Sequence, residues 1–194
     1  MNLANVREIK AAFPVLAEQR AIAAALSDVD ALLLGLDQLI AKKRDLKQAA
    51  MQQLLTGQAR LPGFDDEWRE TQLGRLGRFS KGKGIRKDQV MTDGLPCIRY
   101  GEIYTRHHDV VRSFGSFISP QVASQSQRLL RGDLLFAGSG ETAGEIGKCV
   151  AFLDDKEAYA SGDIVIFSPT KQDSMYLGYL MNAPQIAAQK ARMG

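Results

Sequence analysis

The glycine-rich segment 138–148 is the first candidate for chemistry, because its spacing approaches that of a phosphate-binding loop. A Walker loop needs glycine, four residues and then Gly-Lys-Ser/Thr, so that backbone amides surround the phosphates and the hydroxyl binds magnesium. Here Gly147 and Lys148 are followed by Cys149, and Thr142 stands where the first glycine is required. The spacing GxGxxxG also differs from the dinucleotide-binding fingerprint. We therefore interpret the segment as a surface loop between strands.

Carboxylates and histidines are the next candidates. A metal-dependent nuclease needs clustered carboxylates with a nearby lysine, and Asp133 together with the run 154–156 (Asp-Asp-Lys) could supply them. The same residues are also ordinary turn formers. The two histidines, His107 and His108, have no carboxylate or cysteine at the spacing of helical metal ligands. We predict no metal site and no catalytic residue, and we keep a nuclease using Asp133 and Asp154 as an alternative.

Positive charge is concentrated between residues 75 and 112, which contain nine Lys or Arg and four acidic residues. The run 80–87, SKGKGIRK, places basic side chains on a glycine-interrupted loop that we expect to be flexible and able to follow a phosphate backbone. Arginine and tyrosine side chains follow at residues 99–106, and such groups suit base edges and sugars. This pattern is compatible with DNA, RNA or an acidic protein as the partner, and equally with a solvated basic face.

One long helix is predicted from Leu16 to Thr56. The segment lacks proline, contains a single glycine and is dominated by Ala, Leu, Gln and Lys, which are strong helix formers. Apolar residues recur at spacings of three and four and so form one face. About 40 residues make a rod of roughly 60 Å, which is longer than a domain of the remaining chain is wide. The residues expected to pair with another helix are Ile22, Val29, Leu32, Leu36, Leu39 and Leu46.

Charges along this helix are sorted by sign. The first half carries Glu18, Asp28, Asp30 and Asp37, and the second half carries Lys42, Lys43, Arg44 and Lys47, with Arg20 and Asp45 as exceptions. An antiparallel partner would set acidic halves against basic halves, whereas a parallel copy would oppose like charges. We infer an antiparallel helix pair, in a homodimer or with another chain. The alternative is a core helix of an ordinary bundle, but this sequence holds no second helix of similar length.

The remaining sequence predicts an α+β fold. After a turn-rich junction at residues 57–67, short apolar segments are bounded by Gly, Pro, Ser or Asp, as is typical of strands. The predicted strands are Cys97–Tyr100, Leu129–Phe136, Lys148–Leu153 and Asp163–Phe167, and helices are expected at Met175–Asn182 and Pro184–Met193.

The composition limits the cellular context. The chain has 194 residues, of which 45% are apolar and 24% charged, as in a soluble globular protein. Its longest strongly apolar run, Ala31–Leu36, is far below the ~20 residues that span a bilayer, so no membrane association is expected. Cys97 and Cys149 stand alone, which favours a reducing cytoplasm over a disulfide framework or a zinc site.

Several motifs, in order, resemble the specificity subunit of type I restriction–modification enzymes, the HsdS family. The helix entry at 13–22 reads FPVLAEQRAI, and its exit at 43–57, the most specific match, reads KRDLKQAAMQQLLTG. Trp68 and the run 72–74 (QLG) are similar to the opening of a target recognition domain. Further matches are GLPCIRYGEI at 94–103, RGDLLF at 131–136, GEIG at 144–147 and SGDIVI at 161–166.

The resemblance implies a function as well as a fold. In that family each recognition domain reads one half of a bipartite site in double-stranded DNA, and long helices pair antiparallel as a spacer. Methyltransferase subunits dock on the specificity subunit, and restriction/translocase subunits join the complex. S-adenosylmethionine, ATP and magnesium then belong to those partners, and this chain needs no cofactor. If two copies of this chain pair, symmetry predicts an interrupted palindromic target.

The resemblance also divides the chain. Residues 1–15 correspond to the tail of a preceding region, 16–57 to the spacer helix, 58–67 to a linker and 68–194 to the recognition domain. A full family member has two such domains and two helices. We therefore expect a natural half-subunit that dimerises, a truncated gene product or an excised fragment.

Site residues follow from combining the charge pattern with the resemblance. We predict phosphate contacts from Lys81, Lys83, Arg86 and Lys87, and base or sugar contacts from Arg99, Tyr100, Tyr104 and Arg106. A second groove-facing loop would present Ser139 and Glu141. The leading hypothesis is thus a non-catalytic DNA-recognition subunit, and the competing one is a protein-interaction fragment that pairs through its helix without binding DNA.

Overall fold

The computed structural model describes residues 2–140, 142 and 145–192. The chain divides into two compact units, residues 1–50 and residues 51–194. None of the helices in the described part of the chain is both long enough and apolar enough to cross a membrane.

The first unit is helical. Helix α1 (Leu3–Arg7) is capped by Asn2, whose side-chain oxygen accepts a hydrogen bond from the amide three residues later at 3.0 Å. Helix α2 (Leu16–Leu54) is 39 residues long and confirms the predicted rod, although it ends two residues before the expected Thr56. Within α2 no side chain is buried.

The end of α2 belongs to the second unit, which begins at Met51. Leu55 follows the helix and is buried, and its carbonyl accepts a hydrogen bond from the side-chain amide of Gln185 at 3.3 Å. Gly57 lies in the turn that ends the helix with φ of +74°, a left-handed conformation that glycine adopts without strain. The chain therefore turns at Gly57, a residue that adopts this conformation without strain.

Eight short strands form two sheets in the second unit. Their bounds are β1 (Gly77–Lys81), β2 (Leu95–Ile98), β3 (Ser116–Ile118), β4 (Gln127–Arg128), β5 (Leu134–Ala137), β6 (Cys149–Ala151), β7 (Tyr159–Ala160) and β8 (Ile164–Pro169). The first sheet has the order β1-β8-β5-β6 and is antiparallel throughout. The second has the order β3-β2-β7-β4, in which β2 and β7 run parallel.

Four short helices complete this unit and confirm the α+β class. They are α3 (Tyr100–Thr105), α4 (Pro120–Ala123), α5 (Ser174–Leu180) and α6 (Pro184–Lys190). The last two match the helices expected near residues 175–182 and 184–193, with proline at the first turn of α6. Asn182 ties the end of α5 to β6, because its side chain accepts from the Cys149 amide at 3.0 Å and donates to the Cys149 carbonyl at 2.7 Å.

Strands β5, β6 and β8 of the first sheet are mostly buried on both faces, whereas β1 is largely exposed. Consecutive side chains of a strand point to opposite faces, so each of these three strands contributes to two apolar clusters. In β5, Leu135 and Ala137 belong to the larger apolar cluster, which also contains Ile98, Ile103 and Phe152. Leu134 of the same strand belongs to the other cluster, with Cys149, Phe167, Leu177 and Met181. Continuous apolar runs such as LLFA therefore mark strands covered on both sides.

The predicted strands differ from the observed ones where turn chemistry intervenes. The segment 129–136 is not one strand: β4 ends at Arg128 and β5 begins at Leu134, and Gly132 between them turns the chain with φ of +97°. Tyr100 was expected to end a strand but begins α3, because the Glu102 carboxylate accepts the Arg99 amide at 3.0 Å and so starts a helix. Strands β1, β3, β4 and β7 were not predicted.

Asp133 fastens the turn before β5 to β8. It is 3% exposed, and its carboxylate accepts hydrogen bonds from the Leu130 amide at 2.8 Å and from the Ser168 hydroxyl at 2.6 Å. The turn sequence RGD at residues 131–133 thus has a structural role, because its aspartate joins the turn to β8. This burial corrects the assumption that Asp133 is an ordinary exposed turn residue.

We expect Asp133→Ala to lower the free energy of unfolding by about 3 kcal/mol, because a buried amide and a hydroxyl both lose a charged acceptor. Urea denaturation followed by circular dichroism measures the change. Asp155→Ala is the matched control, since its carboxylate is 82% exposed and contacts only the exposed Arg131 at 3.0 Å. The control should cost less than about 1 kcal/mol. Equal effects of the two substitutions would contradict a structural role for Asp133.

Candidate nucleic-acid interface

The basic segment after β1 is bonded to both sheets. The Gly82 amide donates to the Ile164 carbonyl of β8 at 2.9 Å, and the Lys83 amide donates to the Ala160 carbonyl of β7 at 3.2 Å. The side chains of Lys81 and Lys83 nevertheless remain exposed. The expectation of a flexible loop is therefore wrong for residues 81–83, since their backbone is held against the sheets while their charges face solvent.

Glycine makes this close approach possible. A Cβ atom at position 82 would lie 2.0 Å from the Ser161 carbonyl oxygen, so a larger residue cannot occupy Gly82 without displacing the backbone. Gly84 has φ of +86°, which turns the chain toward the short 3-10 helix Lys87–Gln89. The glycines of SKGKGIRK thus let the backbone lie against both sheets, and they do not make this segment flexible.

The four predicted phosphate-binding residues differ in their surroundings. Arg86 pairs with Asp88 at 3.2 Å, and this hydrogen bond lowers the pKa of the exposed Asp88 carboxyl and raises that of Arg86. Within the described part of the chain, Lys81 and Lys83 form no ion pair. These two lysines therefore offer their charge to an external anion without first breaking a contact.

A groove of about 540 Å³ brings three of the predicted residues together, namely Lys87, Arg99 and Tyr100. Its wall is shared by α3, the segment before the 3-10 helix, and the turn between β7 and β8. The turn contributes Ser161, Gly162 and Asp163, which the sequence analysis did not select. Their only sequence signal was the motif SGDIVI, which we interpreted as a strand.

Arg99 is oriented by Glu102, which the sequence analysis also did not select. The Glu102 carboxylate is 8% exposed, accepts the Arg99 amide at 3.0 Å and lies 3.8 Å from the Arg99 Nε atom. Its other oxygen accepts the hydroxyl of Ser116 at 3.0 Å. The carboxylate is thus fixed by β3 and holds the base of the Arg99 side chain at the groove.

Tyr104 and Arg106 do not line this groove. Tyr104 packs with Tyr100 at 6.3 Å between ring centroids, and both rings cover the larger apolar cluster. Arg106 folds back over the loop before β3, where its guanidinium lies 3.5 Å from the Phe114 carbonyl oxygen. The structure therefore separates the four residues of 99–106 into two that face the groove and two that support or flank α3.

The second predicted loop starts beside the same turn. Ser139 is half-buried just after β5, and the amide of the preceding Gly138 donates to the Asp163 carbonyl at 2.8 Å. Glu141 lies outside the described residues. The start of this loop is thus attached to the turn that carries Asp163.

The residues considered for metal or acid–base chemistry do not converge. Among residues 2–140, 142 and 145–192 no group of three His, Cys, Asp or Glu side chains is arranged to hold a metal ion. The Asp154 carboxylate accepts the Lys156 amide at 3.0 Å, as in an ordinary turn. His107 is buried, and burial lowers its pKa below the usual value, which favours the neutral imidazole. The geometry gives the nuclease alternative no support.

The predicted pairing face of α2 is uncovered. The fractions of side-chain surface exposed are 46% at Leu36 and 64% at Leu32, and the other four predicted residues lie between these values. The described part of the chain contains no second helix of comparable length. Among the described residues, the bundle alternative therefore finds no partner helix for α2.

Comparison with known proteins supports the fold. No protein-family profile and no curated protein sequence matches the chain. The type I restriction–modification S subunit from M. genitalium is structurally similar, with a TM-score of 0.63 and 17% identity over 100% of this chain and 48% of that one. A structure on complex assembly and conformational transition of a type I R-M system matches with a TM-score of 0.52 and 20% identity, over 90% of this chain and 43% of that one.

The HsdS subunit from Thermoanaerobacter tengcongensis matches with a TM-score of 0.49 and 17% identity, over 90% of this chain and 43% of that one. The chain spans less than half the length of each of these three solved chains. The resemblance stated from the motifs is confirmed at the level of fold: a long N-terminal helix followed by a mixed α+β domain is the architecture shared with type I specificity subunits.

We expect Gly82→Ala to destabilise the second unit by about 1–3 kcal/mol, because the added methyl group overlaps the Ser161 carbonyl oxygen. Thermal or urea unfolding measures this loss. Gly74→Ala is the control, since a Cβ atom there meets nothing within 4 Å. If Gly82→Ala were as stable as the control, the close contact between the basic segment and the β7–β8 turn would be refuted.

Proposed function

We propose that this chain is a DNA sequence-specificity subunit, or a part of one, of a type I restriction–modification system. Its second unit binds one half of a bipartite target in double-stranded DNA, and its long helix serves pairing and the docking of methyltransferase subunits. Restriction/translocase subunits join through the assembled complex. The chain itself performs no catalysis, and S-adenosylmethionine, ATP and magnesium are used by its partners.

The observation that carries this proposal is the fold similarity to the M. genitalium S subunit over the whole chain. The interface geometry agrees with it independently. Lys81 and Lys83 are exposed and unpaired within the described residues, and they lie on a segment anchored beside the groove that contains Lys87 and Arg99. Fixed cations next to a groove with mixed donors and acceptors suit a duplex, because phosphates supply affinity and base edges supply specificity.

Pairing through α2 is the second element of the proposal. The six apolar side chains of the pairing face are all roughly half exposed. Because full burial of such a side chain is worth about 1.5–3 kcal/mol, covering the exposed half of each favours association by about 1 kcal/mol before entropic costs. The sorted charges favour an antiparallel arrangement. We propose a homodimer of this chain through α2, with the half-sites of its target related by two-fold symmetry.

We also propose a cytoplasmic location, because cysteines without a disulfide partner suit a reducing compartment. Cys97 and Cys149 are both free and buried. Burial raises the pKa of Cys97 to about 12 and also raises that of Cys149, so neither thiol is reactive at neutral pH.

DNA binding is tested by fluorescence anisotropy of the full chain with duplex DNA at increasing salt. We expect a steep loss of affinity with salt, and Lys83→Ala should flatten the slope of log affinity against log salt by about 0.9, because one phosphate contact is lost. Lys156→Ala, an exposed lysine on the turn before β7, is the matched control and should leave the slope unchanged.

Two outcomes would redirect the assignment. Absence of duplex binding by the wild-type chain, with dimerisation retained, would favour the protein-interaction fragment over a DNA reader. Cleavage of DNA by the isolated chain in the presence of magnesium would support the nuclease alternative instead.

Antiparallel pairing is tested by reversing the charge of one half of α2. In an antiparallel dimer, the triple variant D28K/D30K/D37K opposes basic halves to basic halves and should shift the chain from a dimer toward the 21.3 kDa monomer. Adding K43E, R44E and K47E restores opposite charges and should restore the dimer. Analytical ultracentrifugation at low salt reads out the mass. A dimer unaffected by the triple variant would contradict the antiparallel arrangement.

A further inference from the structure

Two unsatisfied polar atoms lie in the groove beside α3. Among the residues described, the Nε atom of Arg99 and the hydroxyl of Ser161 are buried without a hydrogen-bond partner, since the Glu102 carboxylate lies 3.8 Å from Nε, beyond hydrogen-bond distance, and both residues line this groove. Ser161 is only 5% exposed. Leaving such a group unpaired costs about 1–3 kcal/mol, and buried polar atoms in proteins are rarely left so. Their coincidence in one groove indicates a site completed by a ligand.

The groove holds both donors and acceptors. Arg99 and Lys87 donate, the Ser161 hydroxyl does either, and the exposed Asp163 carboxylate accepts. A bare phosphate would be repelled by the carboxylates of Asp163 and Glu102 in the same wall. The edge of a base pair presents acceptors and donors side by side, and it therefore matches this lining better.

Strand pairing holds Arg99 and the turn at residues 161–163, which both line the groove, at a fixed separation. Parallel strands β2 and β7 pair Ile98 with Ala160, and the Ser161 amide donates to the Ile98 carbonyl at 3.0 Å. Arg99 and the turn at residues 161–163 therefore leave adjacent strands in the same direction. The Glu102 carboxylate restrains Arg99 from behind, as described above.

Gly162 leaves room between these groups. A Cβ atom at this position would meet nothing within 4 Å, and Gly162 is one of the residues that line the groove. A flat ligand edge can approach the backbone there.

We propose that this groove reads one guanine–cytosine pair of the target, with Arg99 donating to the guanine O6 and N7 atoms and Asp163 accepting from the cytosine N4 amino group. The inference rests on the proposed DNA-binding function and names the specificity-determining residues of that function. Arginine to guanine and an acidic side chain to cytosine are the pairings that the major-groove edge favours. Lys81 and Lys83, outside the groove, supply affinity without sequence preference.

The test begins by selecting preferred duplexes for the full-length wild-type chain from a randomised library. Affinities of wild type and variants are then compared on the preferred duplex and on unrelated DNA of equal length. Arg99→Ala and Asp163→Ala should each weaken binding to the preferred duplex by about 5- to 150-fold. Binding to unrelated DNA should change far less, so that the ratio of the two affinities falls in each variant. Reselection with either variant should lose the preference at the same G·C position of each half-site.

A steric variant tests the groove without removing a charge. Gly162→Leu should abolish the preference for the selected duplex while retaining binding to unrelated DNA, because the side chain fills the approach to the base edge. Gly74→Leu, at another position where a Cβ atom meets nothing within 4 Å, should behave as wild type. Circular dichroism of each variant establishes that it is folded.

The outcomes separate this inference from the function on which it rests. Equal weakening on all duplexes with a flatter salt slope in Arg99→Ala would show a phosphate contact and overturn base reading. Unchanged preference in Arg99→Ala, Asp163→Ala and Gly162→Leu would exclude the groove from the interface while leaving DNA recognition intact. A wild-type chain that binds no duplex would overturn the proposed function, and the inference with it.

Discussion

Pairing of β2 with β7 is the contact on which the candidate interface depends. These strands are distant in sequence, yet their parallel pairing places Arg99 and the turn at 161–163 side by side. The basic segment joins the same place, because the amides of Gly82 and Lys83 bond to β8 and β7. Parallel pairing requires a long crossover between its strands, so three segments that are separated along the chain converge only when the whole unit has folded.

Two buried carboxylates hold segments of the second unit in place through hydrogen bonds. Asp133 and Glu102 are each less than 10% exposed, and each carboxylate accepts one backbone amide and one serine hydroxyl. A buried charge is tolerated when such hydrogen bonds replace its lost hydration. The bonds of Glu102 hold the start of α3, which lines the groove, and the bonds of Asp133 hold the turn before β5 against β8. Asp133, which the sequence analysis kept as a nuclease candidate, thus has a structural role.

The long helix follows a different physical constraint. Its apolar face is exposed along its length, and hydration of so many leucines is unfavourable. An amphipathic helix of this kind gains its stability from packing against another element rather than from propensity alone. The same property that makes the helix easy to predict from sequence therefore favours packing against another element.

The sequence alone determined what depends on local physics. Spacings of three and four with strong helix formers predicted α2 almost to the residue, Pro184 predicted the start of α6, and apolar runs located β5, β6 and β8. Ordered motifs also predicted the fold later shared with the M. genitalium S subunit. Lys87, Arg99 and Tyr100 were selected from charge and residue type alone.

Only the tertiary structure decided what depends on contacts between distant segments. It brought Ser161, Gly162 and Asp163 to Arg99, removed Tyr104 and Arg106 from the groove, and anchored the glycine-rich basic segment. Strands β3 and β7 are two or three residues long, and such strands exist through their partners, without a periodicity of their own. Charge and periodicity are properties of neighbouring residues, whereas a groove is a property of the packing that places remote residues together.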